Sequence, residues 1–141
     1  MSHFEELFDL IGQLARRRHQ KAEQQFDALG LNHTEARLLG LLHHRDAVAQ
    51  DALSAQLMVD RSNAVRALQH LEDGGFILRR KDDDDKRAKT VRLTDKGHKA
   101  VTAIAKLRKQ MAHEFFGSLK EDEARRVVEL LRKAIPAEDR S

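Results

Sequence analysis

Apolar residues recur at steps of three and four from the start of the chain. Phe4, Leu7, Phe8, Ile11, Leu14, Ala15, Ala22, Phe26 and Leu29 fall on one stripe of a long helix that Gly30 ends. Asn32 stands three residues before Glu35, the spacing of a capping box, and Ala36, Leu38, Leu39, Leu41 and Leu42 then predict a short, strongly buried second helix. Periodicity is lost over residues 43–50. A third, short helix is expected around Ala52, Leu53, Leu57 and Met58. Asp60 stands where it can cap a fourth, whose apolar face is Ala64, Ala67, Leu68 and Leu71 and whose end is the pair Gly74 and Gly75. Two short helices joined by a tight turn form a helix-turn-helix pattern.

Phe76, Ile77 and Leu78, then three basic residues, an acidic stretch and Thr90, Val91, Arg92 and Leu93 predict a two-stranded ribbon with a charged tip, a wing beside that pattern. Thr94 is placed to cap the next helix, whose stripe runs through Val101, Ile104, Ala105, Met111, Ala112, Phe115 and Phe116 to a break at Gly117. A last helix carries Ala124, Val127, Val128, Leu131 and Ile135, ahead of the only proline, Pro136, and a polar tail expected to fray. The expected fold class is mainly α with a small β-ribbon: a winged helix-turn-helix with long N- and C-terminal dimerisation helices. Residues 1–141 read as a single domain, with the winged unit at 31–97 and the dimerisation helices at 1–30 and 98–135. The central unit has too few faces to cover both terminal stripes, so an intertwined homodimer is expected in preference to a monomeric bundle.

A length of 141 residues suits one core, and 40% hydrophobic with 35% charged residues suits long helices with solvated faces. The absence of cysteine excludes disulfides, thiolate metal sites and thiol redox sensing, and accords with the expected cytoplasmic location. No run approaches the roughly 18 apolar residues of a membrane span, and residues 1–9 are acidic where a signal peptide is basic. No membrane partner is expected. The net charge of +3 is small, because 26 basic residues face 23 acidic ones, so the placement of charge matters more than its total.

On the fourth helix the face opposite the apolar residues displays Ser62, Arg66 and Gln69, with Asn63, Val65 and His70 on its flanks and Arg61 near its start. Arg can bridge guanine O6 and N7, Asn can bridge adenine N6 and N7, and Val can touch a thymine methyl group. Taken alone, such a face is as readily an ordinary solvated one. The neighbouring ribbon changes the balance, since Arg79, Arg80, Lys81, Lys86, Arg87, Lys89 and Arg92 crowd into fourteen residues. Double-stranded DNA is therefore the expected partner. The four aspartates at 82–85 would repel phosphate, so some must face solvent or pair with the flanking bases.

Asp85-x-Arg87, five residues, then Leu93-Thr94-x-x-Gly97 resembles the wing signature of the MarR family of winged helix-turn-helix regulators. Leu53-Ser54-Ala55-Gln56-Leu57, Asp60-Arg61-Ser62, Leu71-Glu72 and Gly75-Phe76-Ile77 are similar to the same family's helix-turn-helix and strand entry. The resemblance implies an obligate dimer on a palindromic operator and a transcription regulator that is by expectation a repressor. It places the fourth helix in the major groove, Arg87 in the adjacent minor groove with Lys86 and Lys89 beside it, and Asp85 as the residue that holds the wing and its arginine. It further implies a small aromatic or phenolic anion as effector, in a cleft to which Arg16, Arg17 and His19 could contribute. Two departures stand out. Met58 occupies a turn position where many relatives carry glycine, so the turn is expected to be locally helical, and the aspartate run replaces a proline-containing wing tip.

Other functions find less support. Five serines lack a nucleophile-elbow setting and no glycine-rich phosphate loop is present, so the chain does not read as an enzyme and no cofactor is expected. Eight histidines raise a metal-responsive regulator as an alternative. None lies three or four residues from another, so the reading assigns no metal site; a distant assembly would draw on His33, His43 or His44 with His113. The remaining alternative is a winged helix used for protein contacts without DNA binding.

Overall fold

The structure, a computed structural model, describes residues 2–81, 84 and 88–139. The chain divides into two compact units, Met1–Arg108 and Lys109–Ser141.

In the first unit, α1 (His3–Asp27) begins at a capping box that the sequence reading lacks: the Ser2 hydroxyl accepts from the Glu5 amide at 3.2 Å, and the Glu5 carboxylate accepts from the Ser2 amide at 2.7 Å. Of its apolar stripe only Ala22 and Phe26 are buried. The expected box at α2 (His33–Leu41) is present, with Asn32 and Glu35 exchanging bonds of 2.8 and 2.9 Å. Leu38, Leu39 and Leu42 go fully into the core, where Leu53 and Leu57 of α3 (Gln50–Leu57) and Leu68 and Leu71 of α4 (Arg61–Asp73) meet them.

The turn between α3 and α4 corrects the expectation of a helical Met58. Met58 is left-handed, with φ 54° and ψ 38°, and its side chain is 89% exposed. The turn holds because Arg37 of α2 donates from its guanidinium to the Leu57 carbonyl at 3.0 Å, satisfying an end group of α3 with a positive charge at the helix C-terminus. Asp60 takes the N-cap position of α4, but its side chain makes no cap bond, contrary to its expected role; its backbone carbonyl accepts the Ala64 amide.

The ribbon is a three-stranded sheet rather than a two-stranded one. β1 (Val48–Ala49) pairs antiparallel with β3 (Lys89–Leu93), which pairs antiparallel with β2 (Ile77–Lys81), giving the order β1-β3-β2. Val48, Ile77, Val91 and Leu93 turn inward and close the core from below the helices. Thr94 caps α5 (Asp95–Phe115) as expected: its hydroxyl accepts from the Gly97 amide at 3.0 Å and donates to the Gly75 carbonyl at 2.6 Å. This brings the first turn of α5 so close to the strand entry that a Cβ at Gly97 would overlap the Phe76 carbonyl oxygen.

In the second unit, Phe115 and Phe116 meet edge to face at 4.8 Å before α6 (Glu121–Ala134). Acidic Glu121, Asp122 and Glu123 open α6 and Arg132 and Lys133 close it, complementing the helix dipole. None of its residues is buried, and Val127, Val128 and Leu131 are exposed. A 3-10 turn at Ala137–Asp139 follows α6. Among the described residues no helix is long and apolar enough to cross a membrane.

Two substitutions test the backbone reasoning. Gly97→Ala should lower stability by about 3 kcal/mol, because its Cβ meets backbone that cannot step aside. Met58→Gly should raise it by about 0.5 kcal/mol, because left-handed strain is relieved and no buried surface is lost. Urea denaturation of the two variants beside the parent reads both signs.

Candidate nucleic-acid interface

The face of α4 is set by its apolar residues. Ala64, Ala67, Leu68 and Leu71 are buried, and Arg61, Ser62, Asn63, Val65, Arg66, Gln69 and His70 are all exposed on the remaining surface. With no side chain capping the helix start, its first amides and positive dipole end face outward beside Arg61 and Ser62.

The seven residues differ in how they are held. Arg66 donates to the Asn63 side-chain oxygen at 2.7 Å, a one-turn contact that leaves both free to swing outward together. Gln69 is clamped at both ends, its amide nitrogen donating to Asp73 at 2.9 Å and its oxygen accepting from Arg79 at 2.7 Å. The His70 ring donates through Nδ1 to the Glu35 carboxylate at 2.7 Å. Gln69 and His70, near the end of α4, are thus tied to other elements, whereas Arg66 and Asn63 bond to each other within the helix. Asn32, Glu35, Asn63, Arg66 and His70 border a shallow hollow of about 510 Å³ beside this face.

Arg79 illustrates what charge counting misses. It stands among the basic residues of the ribbon in sequence, yet its side chain is only 12% exposed and forks onto Glu72 at 2.9 and 3.2 Å as well as onto Gln69. The hydrogen bonds from Arg79 hold the Glu72 carboxyl below its usual value, against a smaller opposing effect of burial. Arg79 therefore joins β2 to α4 and is not part of a free cationic surface. Arg80, Lys81, Lys89 and Arg92 are exposed on the ribbon, and Lys81 stands directly across from Lys89. Asp85, Lys86 and Arg87 lie outside the described residues.

Arg16, Arg17 and His19 are exposed on α1, one turn apart. His19 has a definite neighbour, since its Nδ1 lies 3.3 Å from that of His33 at the start of α2. Burial, followed by the charges of His19, Arg18 and Arg37, pushes His33 below the ordinary histidine value. The sequence reading grouped His33 with His43, His44 and His113. Among the described residues His33 meets His19 and Glu23 instead, and the His43 and His44 rings lie tilted against each other with centroids 3.7 Å apart. The signal in the sequence is a His-x-x-x-Glu spacing at residues 19 and 23, which pairing histidines alone does not reveal.

The family model for the MarR family matches residues 31–89, from the last residue before the α2 cap to the first of β3. A Bacillus subtilis (strain 168) protein, the uncharacterized HTH-type transcriptional regulator YkoM, is 31% identical over 105 residues, covering 74% of this chain and 68% of its own. The chain belongs to the MarR family. A second protein of the same strain, the uncharacterized HTH-type transcriptional regulator YdgJ, is 29% identical over 102 residues, 72% of this chain and 62% of its own, so the chain spans a little under two thirds of that relative's length. Among solved structures, S. aureus MepR in complex with DNA superimposes with a TM-score of 0.76 at 26% identity, covering 93% of this chain and 95% of that one. The mainly helical MarR fold with its small antiparallel sheet is thus present here, and these relatives are named as regulators, not enzymes.

The Arg79 fork leads to a pH prediction for this MarR-family chain. Glu72 is held below its unfolded value, near 4.5, so its contribution to stability is complete above that pH and is lost as the pH falls through the lower folded value. Arg79→Ala should remove this contribution. Denaturation between pH 5 and pH 3 should then be less steep in the variant than in the parent, the difference being a fraction of a proton per chain.

Proposed function

We propose that this MarR-family chain is a homodimeric, sequence-specific double-stranded DNA-binding transcription regulator, acting as a repressor. The observation that carries the proposal is the exposed face of α4. Arginine, serine, asparagine and valine stand together at the outward end of a helix whose opposite face is locked into the core, beside a basic strand pair. Helix-turn-helix proteins read base edges with the N-terminal residues of the second helix, and Arg61, Ser62, Asn63, Val65 and Arg66 occupy that end. Gln69 and His70, clamped from within, serve as flanking contacts. Lys81 and Lys89, like charges directly opposite, repel each other and gain from a phosphate between them. Lys86 and Arg87 are the proposed minor-groove contacts, and Asp85 the proposed wing-organising residue.

The dimer rests on apolar faces. Phe4 is 86% exposed and Leu7, Phe8, Ile11 and Leu14 continue its stripe along α1; α6 exposes Val127, Val128, Leu130 and Leu131. Faces of this kind are buried in assemblies, and twofold symmetry in the protein calls for twofold symmetry in the operator. A small aromatic or phenolic anion is the proposed effector, with Arg16 and Arg17 supplying the charge and His19 bordering the site.

Sedimentation at micromolar concentration should give twice the 16.1 kDa chain mass; a species at the chain mass would overturn the dimer. Protected operators should be imperfect palindromes with half-site centres about 10 bp apart. Arg66→Ala should cost about 1–3 kcal/mol per half-site and relax preference at one base-pair position, with affinity for random DNA little changed. Arg87→Ala should weaken binding to many sequences and flatten the salt dependence by about one ion per arginine removed. A parent protein with no salt-dependent DNA binding would sink the proposal and favour a protein-contact module.

A further inference from the structure

His19 and Glu23 sit four residues apart on α1, so both project from one face, one turn above the other. The chain leaves α1 at Asp27, turns through Gly30, and re-enters α2 with His33 lying against that face. The Nδ1 atoms of His19 and His33 are 3.3 Å apart, the Glu23 Oε1 accepts the His33 backbone amide at 3.1 Å, and His19 Nε2 lies 4.0 Å from the same oxygen. One candidate donor atom from each of the three residues lies within 4.8 Å of the others. Phe26 walls one side, its ring 6.0 Å from that of His33.

We propose that His19, Glu23 and His33 bind a divalent transition cation, with Zn²⁺ the best fit, and that the ion fastens α1 to the start of α2. Two histidines and a glutamate are a donor set that suits zinc and leaves a fourth position open, whereas Mg²⁺ and Ca²⁺ prefer oxygen throughout. Tetrahedral zinc with Zn–N bonds of about 2.0 Å sets neighbouring donors about 3.3 Å apart, which is the separation the two imidazoles already have. Rotation of the His19 ring and the Glu23 carboxylate closes the remaining gap. The His33 amide on Oε1 orients the carboxylate and leaves Oε2 for the ion. Arg18 and Arg37 bear on the His33 ring and disfavour a cation, so the site depends on the Glu23 carboxylate to offset them.

The test uses the full chain, freed of metal with a chelator and titrated with Co²⁺ and then Zn²⁺. The expected result is one ion per chain, visible Co²⁺ bands of a four-coordinate nitrogen and oxygen site, their displacement by Zn²⁺, and a higher melting temperature with metal. Glu23→Gln keeps an acceptor for the His33 amide while removing the charge, and should weaken Zn²⁺ binding by about tenfold or more, as should His19→Asn. A His43→Ala, His44→Ala double variant should bind as the parent does. Absence of Co²⁺ binding, equal affinity in parent and Glu23→Gln, or loss of binding in the double variant would each overturn the site. No readout involves DNA, so failure here leaves the proposed function standing.

Discussion

A single carboxylate organises the packing of α2 against α4. Glu35 is 2% exposed, and a charge removed from water to that degree costs several kcal/mol unless its oxygens are engaged. One oxygen accepts the Asn32 amide and closes the cap of α2, and the other accepts from His70 on α4. The residue that starts α2 therefore also fixes the rotation of α4. Turning α4 about its axis would expose Ala64 and Leu68 and leave a buried carboxylate half-satisfied, and both penalties oppose the same motion.

The second fixed point is the fork from Arg79 to Glu72 and Gln69, which binds the strand leading to the wing to the last turns of α4. Between Glu35 and Arg79 the C-terminal half of α4 is fastened on two sides, while its N-terminal half keeps its side chains outward. A rigid support under adaptable tips lowers the entropy lost on binding without dictating the geometry of each contact. It also separates residues that are alike in exposure: Gln69 and His70 bond to Arg79 and Glu35 on other elements, whereas Arg66 bonds to Asn63 one turn away on α4 itself.

Local signals were legible wherever one short stretch decides the outcome. Asn32 with Glu35, Thr94 before α5, the Gly74 and Gly75 pair and the apolar face of α4 all lie where the sequence pattern puts them. What escaped depends on partners distant in the chain. β1 is two residues long, too short for any alternation, and exists because Val91 offers Val48 a free edge. The left-handed Met58 depends on Arg37, twenty residues from the Leu57 carbonyl it satisfies. Arg79 lies among the wing cations in sequence but pairs with Glu72 on the neighbouring helix, and the grouping of His19, Glu23 and His33 needs the return of the chain after α1. For the candidate site, residue types and outward face were readable, and the internal tethers were not.

The joint between α1 and α2 connects these local facts to the proposed dimer. Along α1 the exposed residues Phe4, Leu7 and Phe8 lie near one end, and the buried pair Ala22 and Phe26 near the other. One helix thus exposes an apolar face at its start and is buried against the core at its finish. A helix of 25 residues is about 37 Å long, so a small change of angle at the docked end moves the far end by several ångströms. In a dimer joined through the far ends, the same change alters the spacing of the two α4 helices against a half-site repeat of about 34 Å. In the proposed dimer on its proposed operator, the stiffness of the segment from His19 to Glu35 would govern how well the pair fits, and a ligand that tightened or loosened it would act on DNA affinity without touching a base.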